Sequence, residues 1–300
     1  MKNIIYQYWK GDLKPGVVYS TELVKKYAES IGAEYRFDHN KIIAGKVCSV
    51  PIYYEPANPL VDPYFDEYDN IALIDIDVFP VENLNENLFD QLDGEDAGIC
   101  TEPDQPYFRS VMNVSDIDYN NDMAWTKMLK KKWNIKYSFD DKKRPMVYNT
   151  GVVVISKNGL KKMKTQWPSF QEYIELVYQN RLPFFYRLFQ DYFSACIHMD
   201  GFKFKKMHNG WNSYMHKLRS HPKATVNDTR TDETKLVHIM FRTADDWPRE
   251  TLWAITNLTF EEWRKMIPVW KEWPNDAEKP IELAPKSDLV EMIEKIQRQP

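Results

Sequence analysis

The sequence predicts an α/β domain of the nucleotide-binding kind, and three observations carry that prediction. The chain opens strand, helix, strand: NIIYQYW (Asn3–Trp9) is a strand with an apolar start, residues 21–31 place apolar side chains at helical spacing, and AEYRF forms a second short strand. A further apolar strand over 70–76 ends in two aspartates, Asp75 and Asp77. A β-branched run, VYNTGVVVIS over 147–156, supplies another buried strand.

The remaining elements follow in order. A loop with Gly11, Pro15 and Gly16 joins the first strand to the first helix, and Gly32 stops that helix. Residues 41–66 are rich in Pro, Tyr and Asn and read as irregular. DAGICTE is a strand, residues 103–122 a long polar loop, and residues 123–133 a helix. Residues 158–180 are largely helical, 188–198 helical again, FKFKKM a short strand, and 235–240 the last clear strand. Beyond Pro248 the pattern is helical and rich in Trp, Glu and Lys. There is no internal repeat and no low-complexity linker. The simplest division is one α/β domain over 1–250 and a helical C-terminal extension over 251–300.

Composition narrows the function classes. At 300 residues and 43% hydrophobic content the chain is long enough for one large domain or two small ones. With 40 basic and 44 acidic side chains the formal net charge is -4, which speaks against a nucleic-acid partner recognised through phosphate charge. Cys48, Cys100 and Cys196 fit neither a metal spacing nor a disulfide framework, so a reducing, cytoplasmic setting is expected. The first residues do not read as a secretory signal, and the sequons at Asn113, Asn227 and Asn257 are then read as chance. No window approaches the roughly 18 apolar residues that span a bilayer. Aromatic residues make up 14% of the chain; packing accounts for them first, and sugar-binding faces second.

The aspartate pair concentrates the chemistry. In a strand, residues i and i+2 face the same side about 6.6 Å apart, so Asp75 and Asp77 would share a face with Ile76 turned into the core. Two carboxylates so placed repel in a partly buried site, and a divalent cation relieves the repulsion. Hard cations such as Mg²⁺ and Mn²⁺ take carboxylate oxygens and leave room for phosphate. The pair closes a strand at the sheet edge where ligands of α/β folds collect. Two reactions use such a pair: sugar transfer from a nucleotide diphosphosugar, and phosphoryl transfer through a nucleophilic aspartate, with Asp245 and Asp246 as a later acidic motif. Phosphatases of the second kind put the pair on their first strand. Here a strand–helix–strand unit precedes it, and the next glycine is Gly94.

The chain resembles family 8 glycosyltransferases and their GT-A relatives across roughly residues 1–250. YDNIALIDIDVFPVENLNENLFD is similar to the D-x-D region of that family and YNTGVVVIS to its N-x-G strand, with Asn149, Thr150 and Gly151 at those positions. FQDYFSACIHMDGFKFKKMHNGWNSYM is similar to the segment that places Gln190, Asp191 and Asn212, and LVHIMFRTADDW to the close that places His238 and Trp247. NIIYQYW also resembles the opening of another D-x-D sugar-transferase group.

The resemblance implies a GT-A, Rossmann-like fold with a mixed central sheet flanked by helices. It implies Mn²⁺ or Mg²⁺ held by Asp75, Asp77 and His238, with a nucleotide-sugar donor, a UDP-sugar first, and a saccharide or other hydroxyl acceptor. Tyr6, Gln7 and Tyr8 would hold the nucleobase and Asp75 lie near the ribose. Asn149 and Gln190 would hydrogen-bond donor sugar or acceptor, and Asp191 would orient the sugar or stabilise the transition state, with retention of configuration. In an inverting enzyme Glu102 or Asp104 would instead deprotonate the acceptor. The family's glycine and lysine after the histidine are missing, Phe241 and Ala244 lying there or nearby, and Arg242 or Arg249 is the candidate replacement. The alternatives are a haloacid dehalogenase-like phosphatase using Asp75 and Asp77, or a non-catalytic nucleotide-sugar-binding protein. EEWRKMIPVWKEW, over 261–273, is read as a packing helix, with an acceptor lid or peripheral membrane contact as its other readings.

Overall fold

The structure is a computed structural model that describes residues 1–47, 52–111, 117–218, 225–240, 244–259 and 262. Its strands are β1 (Asn3–Trp9), β2 (Glu34–His39), β3 (Asn70–Ile74), β4 (Val78–Pro80), β5 (Ala97–Thr101), β6 (Tyr148–Ser156), β7 (Phe204–Lys206), β8 (Ser213–Leu218), β9 (Thr225–Asp228) and β10 (Leu236–Met240). Its α-helices are α1 (Pro15–Ser30), α2 (Ala44–Val47), α3 (Gln105–Val111), α4 (Tyr119–Trp133), α5 (Lys157–Gln166), α6 (Phe170–Gln179), α7 (Phe189–Cys196) and α8 (Arg249–Asn257).

Six strands form a mixed sheet in the order β2-β1-β3-β6-β5-β7. β1 is parallel to both β2 and β3, and β6 runs antiparallel between β3 and β5. Strand alternation divides the core into two layers. Ile71, Leu73, Val153 and Ile155 face one layer together with Tyr6 and residues of α4 to α7. Ala72, Ile74, Val152 and Val154 face the other, against Val24, Tyr27 and Ala28 of α1. Both faces are covered, which is why β3 and β6 read as unbroken apolar runs. A second sheet, β4-β10-β8-β9, stands beside the first.

Local sequence explains most of the boundaries. α1 begins at Pro15, whose fixed φ suits the first helical position, so it starts earlier than residue 21. The helical stretch expected over 158–180 is two helices: Trp167, ahead of Pro168, is extended, and a Ser169–Glu172 capping box starts α6. The long loop expected over 103–122 contains α3 and the first turn of α4, where the Asp118 side chain caps Asn121 N–H at 2.8 Å. Residues 41–66 carry short 3₁₀ turns over Ile52–Leu60 and Pro63–Glu67. α8 starts directly after Pro248, where the helical pattern was expected, and packs into the fold. Leu252 and Ile255 are fully buried, and Arg230 donates to the carbonyls of Ile255 and Leu258. The segment 261–273 lies outside the described residues, apart from Glu262.

Candidate functional site

The aspartates occupy the passage between the two sheets. β3 stops at Ile74, so the pair sits on a turn rather than on a continuing strand. Asp75 N–H still donates to the Gly151 carbonyl at 2.8 Å, extending the β3–β6 ladder by one residue. The chain then turns, closed by Val78 N–H to the Asp75 carbonyl at 3.2 Å, and becomes β4. The turn corrects one expectation: Ile76 is half-buried and lines the cleft instead of entering the core. The turn is anchored from beneath, where the buried Gln7 donates to the Asp75 carbonyl at 3.1 Å and accepts from Tyr35 Oη at 2.9 Å.

Pairing of β4 with β10 brings the third ligand candidate in. His238 stands opposite Val78, and Ile239 N–H donates to the Asp77 carbonyl at 2.9 Å. Ligand atoms of Asp75, Asp77 and His238 therefore lie within 4.8 Å of one another. His238 Nε2 is 3.1 Å from Asp77 Oδ1. Burial, followed by the neighbouring Asp77 charge, pushes the Asp75 carboxyl up to about 7, while His238 pulls the other way. Burial alone would depress the His238 imidazole, but Asp77 and then Asp75 outweigh it and hold the imidazole above its ordinary value.

The far side of His238 is wired into the protein. Its Nδ1 lies 3.2 Å from Asn212 Oδ1, Asn212 Nδ2 donates to Asn149 Oδ1 at 2.8 Å, and Asn149 Nδ2 donates to Glu102 Oε1 at 2.7 Å. Asn149 Oδ1 also accepts from the backbone N–H of Gly151 at 2.8 Å. A β-bulge sets this up: Ile99 pairs with Val153 but Cys100 pairs with Asn149, so residues 150–152 are offset from β5. A Cβ at Gly151 would stand 2.4 Å from His238 Nδ1, so only glycine leaves room for the ring.

A cleft of about 710 Å³ opens over this group at the C-terminal ends of β1 and β3. Tyr8, Trp9 and Lys10 line one part, Asp75, Ile76 and Asp77 another, and Leu188, Phe189 and Gln190 a third. Lys10 is the one lysine or arginine among the described residues lining it.

The other candidates from the sequence divide. Gln190 and Tyr8 line the cleft with the aspartates, and Asn149 borders it, although its amide hydrogens and its oxygen are engaged inward. Tyr6 does not reach the cleft: strand alternation turns its ring edge-on to Phe65 at 5.2 Å, and its hydroxyl meets Asp38 and Asn58. Gln7 is likewise buried and works on the turn backbone. Asp191 is 6% exposed and does not line the cleft; its Oδ2 finds no partner among the described residues. Burial pushes its carboxyl well up, Arg109 opposes that shift, and Asp122 and Glu102 reinforce it. Arg249 is tied to Glu22 on α1, away from the cleft. Arg242 lies outside the described residues. Asp245 lines the cleft and, with Asp246, pairs with Lys14 at 2.7 and 3.0 Å. The sequence reading did not single out Lys10 or Trp9; their place directly after a strand that ends at the ligand edge was the available signal.

No family model and no curated protein matches the chain. Among solved structures it is similar to apo mouse xyloside xylosyltransferase 1, with a TM-score of 0.50 at 12% identity, over 79% of this chain and 97% of that one. A glycosyltransferase involved in glycosylation of the major capsid of PBCV-1 aligns over 84% of this chain and 98% of that one, at 12% identity and a TM-score of 0.45. Galactosyltransferase LgtC, solved with donor and acceptor sugar analogs, aligns over 87% of this chain and 99% of that one, at 14% identity and a TM-score of 0.45. At these identities the likeness is one of fold. The chain has the GT-A type of α/β fold, a mixed central sheet flanked by helices, and these three similar structures are glycosyltransferases.

Proposed function

We propose that this chain is a metal-dependent glycosyltransferase that moves a sugar from a nucleotide diphosphosugar, a UDP-sugar first, to a saccharide or other hydroxyl acceptor with retention of configuration. The observation that carries the reading is the convergence of Asp75, Asp77 and His238 within 4.8 Å at the mouth of the cleft. Two carboxylates and one imidazole suit a hard to borderline divalent cation such as Mn²⁺ or Mg²⁺. The fit shows in the electrostatics: burial, followed by the Asp77 charge, pushes Asp75 toward protonation, and an added positive charge would oppose both. Such a cation, when bound, offsets the diphosphate charge and favours departure of the nucleoside diphosphate.

The chain's own residues supply the rest. Tyr8 and Trp9 offer aromatic faces to the nucleobase at the end of β1, and Lys10 offers a cation to phosphate. Gln190 faces the cleft and is assigned to the transferred sugar. Asp191, on the first turn of α7, is assigned to holding negative charge beneath that sugar, with Arg109 favouring its ionised form. Glu102, the candidate base of an inverting enzyme, is buried and already accepts from Asn149, which supports retention. The phosphatase alternative is not favoured, because the fold is of the GT-A type and the pair follows the third strand. Among the described residues no helix is long and apolar enough to cross a membrane.

Release of UDP from a panel of UDP-sugars tests the proposal. Turnover that needs Mn²⁺ or Mg²⁺ and drops by ~10²-fold or more in Asp77→Ala is the expected result. Metal-dependent hydrolysis of an aryl phosphate with no turnover of any nucleotide sugar would overturn it.

A further inference from the structure

The four-residue chain behind His238 has a polarity that can be worked out from one fixed donor. The backbone N–H of Gly151 cannot accept, so the Asn149 side-chain atom 2.8 Å from it is the oxygen. That oxygen therefore also faces a donor from Asn212, which is Nδ2 at 2.8 Å, and this leaves Asn212 Oδ1 toward His238. An amide oxygen needs a proton from its partner, so His238 Nδ1, at 3.2 Å, carries hydrogen. Asn149 Nδ2 points to Glu102 Oε1 at 2.7 Å, which only accepts when ionised, so the far end agrees. All four side chains are buried, at 6% exposure or less.

We infer that Asn212 and Asn149 are positioning residues that hold a proton on His238 Nδ1, so that Nε2, which shares a proton with Asp77 Oδ1 at 3.1 Å in the metal-free protein, is the nitrogen that a cation would take. Asn149 then acts through His238 rather than on the sugar. The consequence for binding is direct. The Nε2–H tautomer would point a hydrogen at the cation and remove one of three protein ligands. The chain also explains why Gly151 matters twice, since its N–H sets the polarity and its missing side chain admits the ring. This inference rests on the reading of Asp75, Asp77 and His238 as a cation site.

Two measurements separate the inference from that reading. The first needs no metal: the full chain carries six histidines, and ¹⁵N-histidine labelling of Asp77→Ala, which lacks the competing acceptor at Nε2, reports the neutral His238 tautomer in metal-free protein at alkaline pH, with Asp77→Ala/His238→Asn for assignment. An Nδ1–H signature is expected, and an Nε2–H signature would overturn the inference whatever the protein binds. The second titrates Mn²⁺ into wild type, Asn212→Leu and Asn212→Asp. Asn212→Leu removes the acceptor and is expected to weaken Mn²⁺ by about 10–100-fold and, in the Asp77→Ala background, to release the tautomer preference. Asn212→Asp keeps an oxygen for Nδ1–H and is expected to retain that preference and most of the affinity. Equal Mn²⁺ affinity and an unchanged tautomer in folded Asn212→Leu would overturn the inference. Absence of Mn²⁺ binding in wild type would instead refute the cation-site reading while the tautomer result stands.

Discussion

His238 is held from both sides, by Asn212 at 3.2 Å and by Asp77 at 3.1 Å, and the space it fills exists because residue 151 has no side chain. Gly151→Ala must push the ring or the strand, so Mn²⁺ affinity should fall by 10-fold or more. Near-wild-type affinity in a titration of that variant would contradict the packing argument. Asp191 makes a different prediction. Its folded-state carboxyl lies well above the unfolded value, so its stabilising contribution is complete below the unfolded pKa and is lost as pH rises through the folded one. At neutral pH, above the unfolded value, this raised carboxyl costs stability, as functional groups often do. Asp191→Asn should therefore hold or raise stability by about 0.5–2 kcal/mol at neutral pH while lowering sugar transfer. A lower Tm at neutral pH with unchanged transfer would refute that role. Residue types marked Asp75 and Asp77, because an acidic pair at a strand end carries recognisable ligand chemistry, whereas His238 came from the resemblance of LVHIMFRTADDW to a family segment. The amide chain through Asn212 and Asn149 was not legible as such, since its meaning lies in which atom faces which across residues far apart in sequence.

At the scale of elements, the short strand β4 joins the two sheets and brings β10 to the aspartate turn. Ile239 N–H donates to the Asp77 carbonyl at 2.9 Å, and proline at 239 removes that donor inside a strand. Ile239→Pro should cost ~3 kcal/mol or more and abolish cation binding, read by thermal denaturation and Mn²⁺ titration. β1, β3, β6 and β10 were legible because each is an apolar or β-branched run. β4, β8 and β9 were not: three residues of VFP, the polar SYMHKL and TVND carry too little pattern, and sheet pairing decides them. α3 was hidden in the same way by Pro and polar neighbours. For α8, burial of Leu252 and Ile255 predicts that alanine at either costs about 2–5 kcal/mol, so removing residues from 251 onward should destabilise the whole domain in a denaturant melt.

For the whole molecule, the GT-A fold puts the end of β1, the turn after β3 and the start of α7 at one sheet edge, and the cleft follows from that topology. Protons and a cation compete for the same side chains there. Asp75 and His238 both bind protons more readily than usual in the apo protein, so Mn²⁺ affinity should fall as pH drops through about 7. Affinity that is flat with pH across that range would count against their being ligands.

The most direct measurement is a calorimetric titration of UDP into wild type and Asp77→Ala, each with and without Mn²⁺. Binding of UDP that requires both Mn²⁺ and Asp77 is the predicted result. Equal binding of UDP by Asp77→Ala in Mn²⁺, or no binding of UDP or GDP by wild type with the metal present, would contradict the account.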